Sequence, residues 1–507
     1  MIRRTLLALV LLTLALPAAA QASSTQEATF QDDNLLIYTD DASRAANLDL
    51  LQSLGVDRLR LTVLWAAIAP DPQSRTKPPV GNDRTNAPFD AANPDTYGAL
   101  VWHNYDEVVK GALARGMAVN LNVTGPSPLW ANQTPPRPDV ADTYEPSPAE
   151  FNAFVSAVGK RYSGTYADPA GGTLPRVDYW SIWNEPNQSG WLTPNWQKSG
   201  KRWYERSASL YRELLDQAWG ALGATGHGQD TILIGETAPA GNDSKEIKRQ
   251  MTPLTFIRAL YCVDRKGKRL KGVRAKLLTC AKTSKAFKRA HPALFAARGF
   301  AHHPYQLLLP PGIKPKNRNQ VTIAALPRLT TMLDRTMRLY RSKTRYPLYL
   351  TEFGYQTPPD RFGVPLRFQG QFLNQSEYIA SRNSRVKTLA QFLLNDDGDP
   401  IGTTFQSGLR THAGAPKPSL AAYRLPVFVT GKGSRKRVWG VVRPTAPNAK
   451  ARVKVQFRRN GTSRWRTVKT VTATGKRNVF RTSVTLRGRG DLRVAALGVV
   501  SRTDRVF

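Results

Sequence analysis

Val101 to Val123 reads VWHNYDEVVKGALARGMAVNLNV, and the fold follows from this stretch. Val101, Tyr105, Val108, Val109, Ala112 and Leu113 recur at helical spacing on one face. Arg115-Gly116 stops that helix, and Met117 to Val123 continues at once as an apolar strand. Upstream, Leu35-Leu36-Ile37-Tyr38 reads as a first strand, and Val56 to Trp65, after the helix-closing Gly55, as a second. Downstream the phrase repeats: strand 177–183, helix 202–222 closed by Gly223, strand 231–235 and helix 252–260. It continues with strand 298–303, helix 319–342, strand 347–352, helix 374–387, strand 388–394 and a short helix at 417–424. Strands separated by helices pair in parallel, and eight such units over residues 34–426 imply a closed (β/α)8 TIM barrel. The rival is an open doubly wound sheet, but no glycine-rich phosphate loop follows the early strands.

The rest of the chain is of other kinds. With 507 residues, a disulfide-stapled miniprotein is excluded, and 11 Trp, 17 Tyr and 18 Phe argue for a packed interior over disorder. From Val427 the period falls to two: Val453, Val455 and Phe457 alternate with Arg452, Lys454, Gln456 and Arg458. Residues 427–507 therefore read as a small all-β sandwich. It holds 21 Lys and Arg against only Asp491 and Asp504, roughly half of the chain's net charge of +36. A second basic region, a barrel insertion at about 262–291, carries eleven basic residues and no acid between Arg265 and Arg289.

The N-terminus has the form of an export signal. Arg3 and Arg4 precede an apolar run, Leu6 to Leu16, followed by Pro17 and Ala18-Ala19-Ala20-Gln21-Ala22. That is a signal peptide over residues 1–22, with cleavage after Ala20 or Ala22. A membrane anchor is the alternative, but the run is short and Pro17 interrupts it. A secreted, extracellular protein without a transmembrane segment is expected. Cys262 and Cys280 then sit where oxidation is permitted, and their closure would contribute about 3 kcal/mol; two buried thiols are the other reading.

Two strand ends carry the chemistry. Tyr179 to Asn187, YWSIWNEPN, ends an apolar strand on Glu185, with Pro186 stiffening the loop. Tyr349 to Tyr355, YLTEFGY, ends another on Glu352. At the C-terminal rim of a barrel, strands four and seven face each other across the mouth. Two carboxyl groups flanking a bond are what glycoside hydrolysis requires: one protonates the leaving oxygen, the other attacks the anomeric carbon or activates water.

With Asn184-Glu185-Pro186 and Thr351-Glu352-Phe353-Gly354, residues 34–426 resemble the retaining (β/α)8 glycoside hydrolases with catalytic glutamates after strands four and seven. Trp183-Asn184-Glu185-Pro186-Asn187 with His303-Pro304-Tyr305 is most similar to the family 39 and family 5 neighbourhood, which includes β-xylosidases, iduronidases and cellulases. The ordered set Arg60, Asn184-Glu185-Pro186, His303-Pro304-Tyr305 and Glu352, on strands two, four, six and seven, carries the resemblance. It implies Glu185 as general acid/base and Glu352 as nucleophile, with carboxyl groups about 5–5.5 Å apart and net retention of configuration. It implies further that Asn184 bonds the sugar 2-hydroxyl, that His303 lines the substrate site, and that Arg60 and Tyr305 contact Glu352. An adjacent cation should keep Glu352 ionised, and Glu185 should hold its proton near working pH. His302 reads as structural.

This chain departs from that pattern in places. Strand eight, with Leu389-Ala390-Gln391-Phe392, lacks the tryptophan that floors the first sugar subsite, and Phe392 or Phe405 is the substitute available. Trp130, in Gly125-Pro126-Ser127-Pro128-Leu129-Trp130, is a candidate sugar platform, as are Trp65, Trp183 and Trp191, with core packing the alternative for each. Glu236 ends a strand too and is a candidate substrate contact. No zinc spacing, H-E-x-x-H or G-x-S-x-G occurs, so no metal or other cofactor and no serine nucleophile is expected. The basic domain suits anionic cell-surface polymers, although it carries no nucleic-acid-reading motif and a solvated face would look the same. Besides a hydrolase, the sequence admits a silent polysaccharide-binding barrel or a transglycosylase.

Overall fold

The computed structural model describes residues 26–82, 87–398, 404–446 and 448–506. The signal peptide read at 1–22 lies outside the described residues. Eight parallel strands close into a barrel: β1 (Glu27–Gln31), β2 (Arg58–Leu64), β3 (Ala118–Thr124), β4 (Tyr179–Ile182), β5 (Thr231–Thr237), β6 (Gly299–His302), β7 (Leu348–Leu350) and β8 (Val386–Phe392). The ring closes where β1 pairs with β8 on one side and β2 on the other. Among the described residues, no helix is long and apolar enough to cross a membrane.

Two sequence assignments are corrected. The first strand is Glu27–Gln31, so the barrel begins before residue 34, and Asp33–Leu36 is a single helical turn whose Leu35 N–H is capped by the Asp32 side chain. A four-residue apolar run does not by itself distinguish a buried strand from a buried turn. Leu36 and Ile37 are buried either way. The helix placed at 374–387 runs instead over Leu366–Ser381, starting directly after Pro365, and the residues from Val386 belong to β8.

Side chains alternate across each strand. On β2, Leu59, Leu61 and Val63 join the apolar core, while Arg58, Arg60 and Thr62 take the other face. The barrel interior that results is polar in layers, unlike the branched aliphatic filling usual for this architecture. Near the bottom the Arg58 guanidinium lies 3.5 Å over the Tyr179 ring. Above it Asn120 Nδ2 donates to Ser181 Oγ at 3.1 Å. Higher still, Arg60 reaches across the barrel to the end of β7.

Two antiparallel sheets follow. One is β9 (Val427–Thr430), β10 (Arg435–Val441) and β13 (Val479–Thr485); the other is β12 (Arg466–Ala473), β11 (Ala451–Arg459), β14 (Gly490–Ala496) and β15 (Val499–Val500), with β16 (Asp504–Val506) on β14. Val438, Val453, Val455, Phe480, Leu492 and Val494 fill the space between them. This domain docks at the N-terminal end of the barrel, where Arg477 pairs with Asp57 and Glu27 and Arg443 with Glu377. Cys262 and Cys280 are joined in a disulfide that staples the basic insertion.

Candidate active site

The C-terminal ends of β4 and β5 are unusual backbone. Trp183 (φ 66°), Glu185 (φ 36°) and Glu236 (φ 42°) all lie in the left-handed region, which L-residues enter at a cost. Such strain concentrates where a side chain must be aimed. Gly235 makes the bend before Glu236 possible: its φ is 105°, and a Cβ there would stand 2.6 Å from the Phe300 ring. The two bent ends are tied together by the Glu185 N–H, which donates to the Glu236 carbonyl at 2.9 Å.

The side chains form one network. Arg60 Nη1 donates to Glu352 Oε1 at 2.9 Å, and Nη2 donates to Asn184 Oδ1 at 2.7 Å and Glu236 Oε2 at 3.3 Å. Gln31 from β1 accepts from the same guanidinium. Asn122, with its amide oriented so that Nδ2 donates to the Trp183 carbonyl, accepts from Arg60 as well. Tyr305 Oη donates to Glu352 Oε2 at 3.2 Å. His303 lies between the carboxyl groups, with Nδ1 2.8 Å from Glu185 Oε1 and Nε2 2.7 Å from Glu236 Oε2. Thr351 Oγ1 donates to Glu236 Oε2 at 2.7 Å. One oxygen each of Glu185 and Glu352 and one nitrogen of His303 lie within 4.8 Å of one another.

Burial and charge fix the protonation of the inner groups. Burial alone would lower the His303 pKa, but Glu352, Glu185 and Glu236 around it raise it to about 10, so it is an imidazolium donating from both nitrogens. Burial would raise Glu236, yet the charge of Arg60 and the His303 contact hold it at about 2. Neighbouring His302 is pushed down by burial to about 3, and its ring contacts Thr237 Oγ1 and the Val321 carbonyl. For Glu352 burial outweighs His303 and Arg60 and pushes the carboxyl up. That reverses the expectation from sequence, which weighed the adjacent cation but had no measure of desolvation.

The placements divide the candidates into two tiers. Asn184, Glu185, Tyr305 and Glu352 line a cavity of about 900 Å³ at the barrel mouth. Arg60, His303 and Glu236 have no exposed side-chain surface and lie beneath its floor, bonded to the groups above them. Of the four tryptophans, Trp191 reaches the cavity wall. Trp65 and Trp183 are core, and Trp130 packs edge-on against Trp65 and Phe89 while its indole N–H donates to the Pro70 carbonyl at 3.0 Å. Phe392 and Phe405 both line the cavity on the side of β8. Sequence reasoning missed Gln31, Asn122 and Thr351. Gln31 and Asn122 share the polar face of their strands, and Thr351 precedes Glu352, but a first strand placed at 35–38 hid Gln31.

No family model matches the chain, and no curated protein matches it. Solved structures similar to it include a family 39 glycoside hydrolase from the gut symbiont Bacteroides cellulosilyticus, at 14% identity and TM-score 0.46 over 91% of this chain and 81% of that one. A monomeric β-xylosidase from Caulobacter crescentus gives 15% and 0.49 over 93% and 96%, and a β-glycosidase from Thermosphaera aggregans 16% and 0.45 over 79% and 96%. The barrel is established by its own strand pairing.

Proposed function

We propose that this protein is a secreted glycoside hydrolase that cleaves O-glycosidic bonds by double displacement with retention of configuration. The observation that carries the reading is the pair Glu185 and Glu352, at the ends of β4 and β7 with carboxylate oxygens within 4.8 Å. Retaining enzymes keep their carboxyl groups about 5–5.5 Å apart, because the nucleophile bonds the sugar directly; inverting ones leave room for a water at about 6.5–9.5 Å.

The network supports a division of roles. Glu352 accepts from two donors, Arg60 and Tyr305, whereas Glu185 faces His303 alone. Burial pushes the Glu352 carboxyl up and Arg60 and His303 oppose it; with Tyr305 donating as well, Glu352 is the group equipped to carry a nucleophile's charge, and Glu185 is placed to act as the acid. Two buried cations, Arg60 and His303, balance two carboxylates, Glu236 and Glu352. In the first step Glu352 bonds the anomeric carbon and loses its charge as an ester, while Glu185 gives its proton to the leaving oxygen and becomes the carboxylate. The cluster keeps the same net charge throughout, so little reorganisation is needed in a low-dielectric site. In the second step Glu185 takes a proton from water, which displaces Glu352. The Asn184 oxygen is engaged by Arg60, so its amide NH₂ is the group it offers to a sugar hydroxyl.

Glycosides cleaved by wild type and followed by NMR should release the anomer of the starting configuration first, and Glu352→Gln should lower turnover by about 10⁴-fold or more with the fold intact. An inverted first product would overturn the mechanism, and full activity in the variant the assignment. Sugar binding that survives loss of both carboxyl groups, with no product from wild type, would favour the silent binding barrel; transfer to a sugar acceptor in preference to water would make it a transglycosylase. The basic sandwich, on the opposite end of the barrel, is free to hold the enzyme on anionic cell-surface polymers while the site faces away.

A further inference from the structure

The cavity above Glu185 and Glu352 has unusual walls for a site that handles a polyhydroxylated ligand. Among the described residues fifteen large apolar side chains are exposed, and six of them line this one cavity: Tyr38, Leu307, Leu308, Leu309, Phe362 and Phe405. The three consecutive leucines are 52%, 50% and 47% exposed. Their loop is pinned: Tyr355 Oη donates to the Leu309 carbonyl at 2.9 Å, and Gln306 Nε2 to the Ile313 carbonyl at 2.6 Å. Leu307 is held at φ 52°, a conformation that costs a leucine energy without gaining it burial.

Polar groups on the walls are turned into the protein. Asn34 Nδ2 donates to Asp397 Oδ1 at 3.1 Å, Gln188 Nε2 to the Ala240 carbonyl at 3.3 Å and Gln320 Nε2 to the Gly241 carbonyl at 3.2 Å. Gln356 Oε1 accepts from the Gln406 N–H at 3.0 Å. Each of these amides has one end committed to the protein, which leaves the walls fewer groups for further sugar rings. Hydrogen-bonding capacity that faces ligand is concentrated at the floor, on Asn184, Glu185, Tyr305 and Glu352. The leaving group departs beside Glu185, on β4, and the loops after β5 and β6 that flank this side bring Pro239, Ala240 and the leucine triplet. Phe392 and Phe405 pack edge to face at 5.3 Å on the side of β8, and on the departing side the three exposed leucines lie in the same cavity as Trp191.

We propose that the substrate is an amphiphilic glycoside whose aglycone is a long alkyl chain lying against Leu307, Leu308 and Leu309. This rests on the hydrolase reading and names the substrate class for the same site. At a volume of about 900 Å³ the cavity has room for both a sugar head and such a chain.

The test compares matched methyl and n-octyl glycosides of common hexoses and pentoses, in both anomers and below the micellar range, on the full chain and on Leu307→Ser/Leu308→Ser. Each buried methylene is worth roughly fourfold, so with partial burial kcat/KM for the octyl glycoside should exceed that for the methyl by about 100-fold. That ratio should collapse towards one in the double variant. Equal handling of the two glycosides by wild type, or a preference that survives in the variant, overturns the proposal. If no glycoside is cleaved, calorimetric titration decides: octyl-glycoside binding that the double substitution abolishes keeps the alkyl site and removes the hydrolase reading, and no binding removes both. A dimer that dissociates in the double variant, with no chain-length preference in wild type, assigns the leucines to a second copy of this chain and overturns the proposal.

Discussion

Both ends of the barrel bury charge, and they use it differently. At the N-terminal end Arg443 and Arg477 from the sandwich, with Arg58 from the barrel, meet Glu27, Asp57 and Glu377, cation for carboxylate, at the seam between the two domains. At the C-terminal end Arg60 and His303 meet three carboxyl groups, Glu185, Glu236 and Glu352. The balanced set leaves no proton to move and closes a joint. The unbalanced set has one carboxyl group more than its cations, which leaves a proton to be carried, and it opens onto a cavity. Buried charge alone does not mark a functional site; a surplus of one sign, held under strain and exposed at one edge, does.

The comparison is sharpest at the surplus group. Glu185→Gln should lower kcat/KM for alkyl glycosides by about 10²–10⁴-fold, the usual contribution of a general acid. The loss should shrink for a nitrophenyl leaving group, which departs without protonation. A uniform loss for both leaving groups would show that Glu185 acts otherwise. At the opposite end, Arg443→Met strands Glu377, whose side chain is 13% exposed. Removing one partner of a buried pair costs about 3–5 kcal/mol, read as a lower denaturation midpoint with kcat/KM per folded molecule unchanged. A fall in kcat/KM would mean that the two ends are coupled.

Within the C-terminal set, two groups give stability opposite pH dependences. His303 titrates at about 10 in the fold against 6.5 ordinarily, so the stability it contributes is complete below about pH 6.5 and is lost as pH rises towards 10. Glu236 works in the other direction: held at about 2 against 4.5 ordinarily, its contribution is present above about pH 4.5 and lost as pH falls towards 2. Tm should therefore decline on both sides of the range between, and His303→Gln should flatten the alkaline decline. An unaltered alkaline slope in that variant would refute the imidazolium.

Much of this site was legible from residues alone because barrel topology converts sequence order into position. A glutamate ending strand four and one ending strand seven must share a rim, whatever the loops between them do. What sequence could not supply was depth. Arg60, His303 and Glu236 are chemically suited to touch a sugar, and only the packing of the floor shows that they lie under it. Desolvation likewise reversed the direction expected for Glu352, since adjacency to Arg60 can be read from topology but burial cannot. The first strand was missed because Glu27–Gln31 carries only Ala28 and Phe30 as apolar residues, while the more hydrophobic Leu35–Tyr38 next to it is spent on a helical turn.

Aromatic residues gave sequence the least to work with, and they provide the smallest test. Trp191 and Trp130 sit in loops after neighbouring strands, but only Trp191 borders the cavity, whereas Trp130 is wedged between Trp65 and Phe89. Trp191→Ala should raise KM by roughly fivefold, the equivalent of about 1 kcal/mol of aromatic contact. Trp130→Phe should leave KM alone and lower stability by about 1 kcal/mol through the lost hydrogen bond to the Pro70 carbonyl. If KM instead follows Trp130, the loop at 125–147 must swing over the mouth when substrate binds. The sugar platform would then be built by closure, and the open cavity described here would be its resting form.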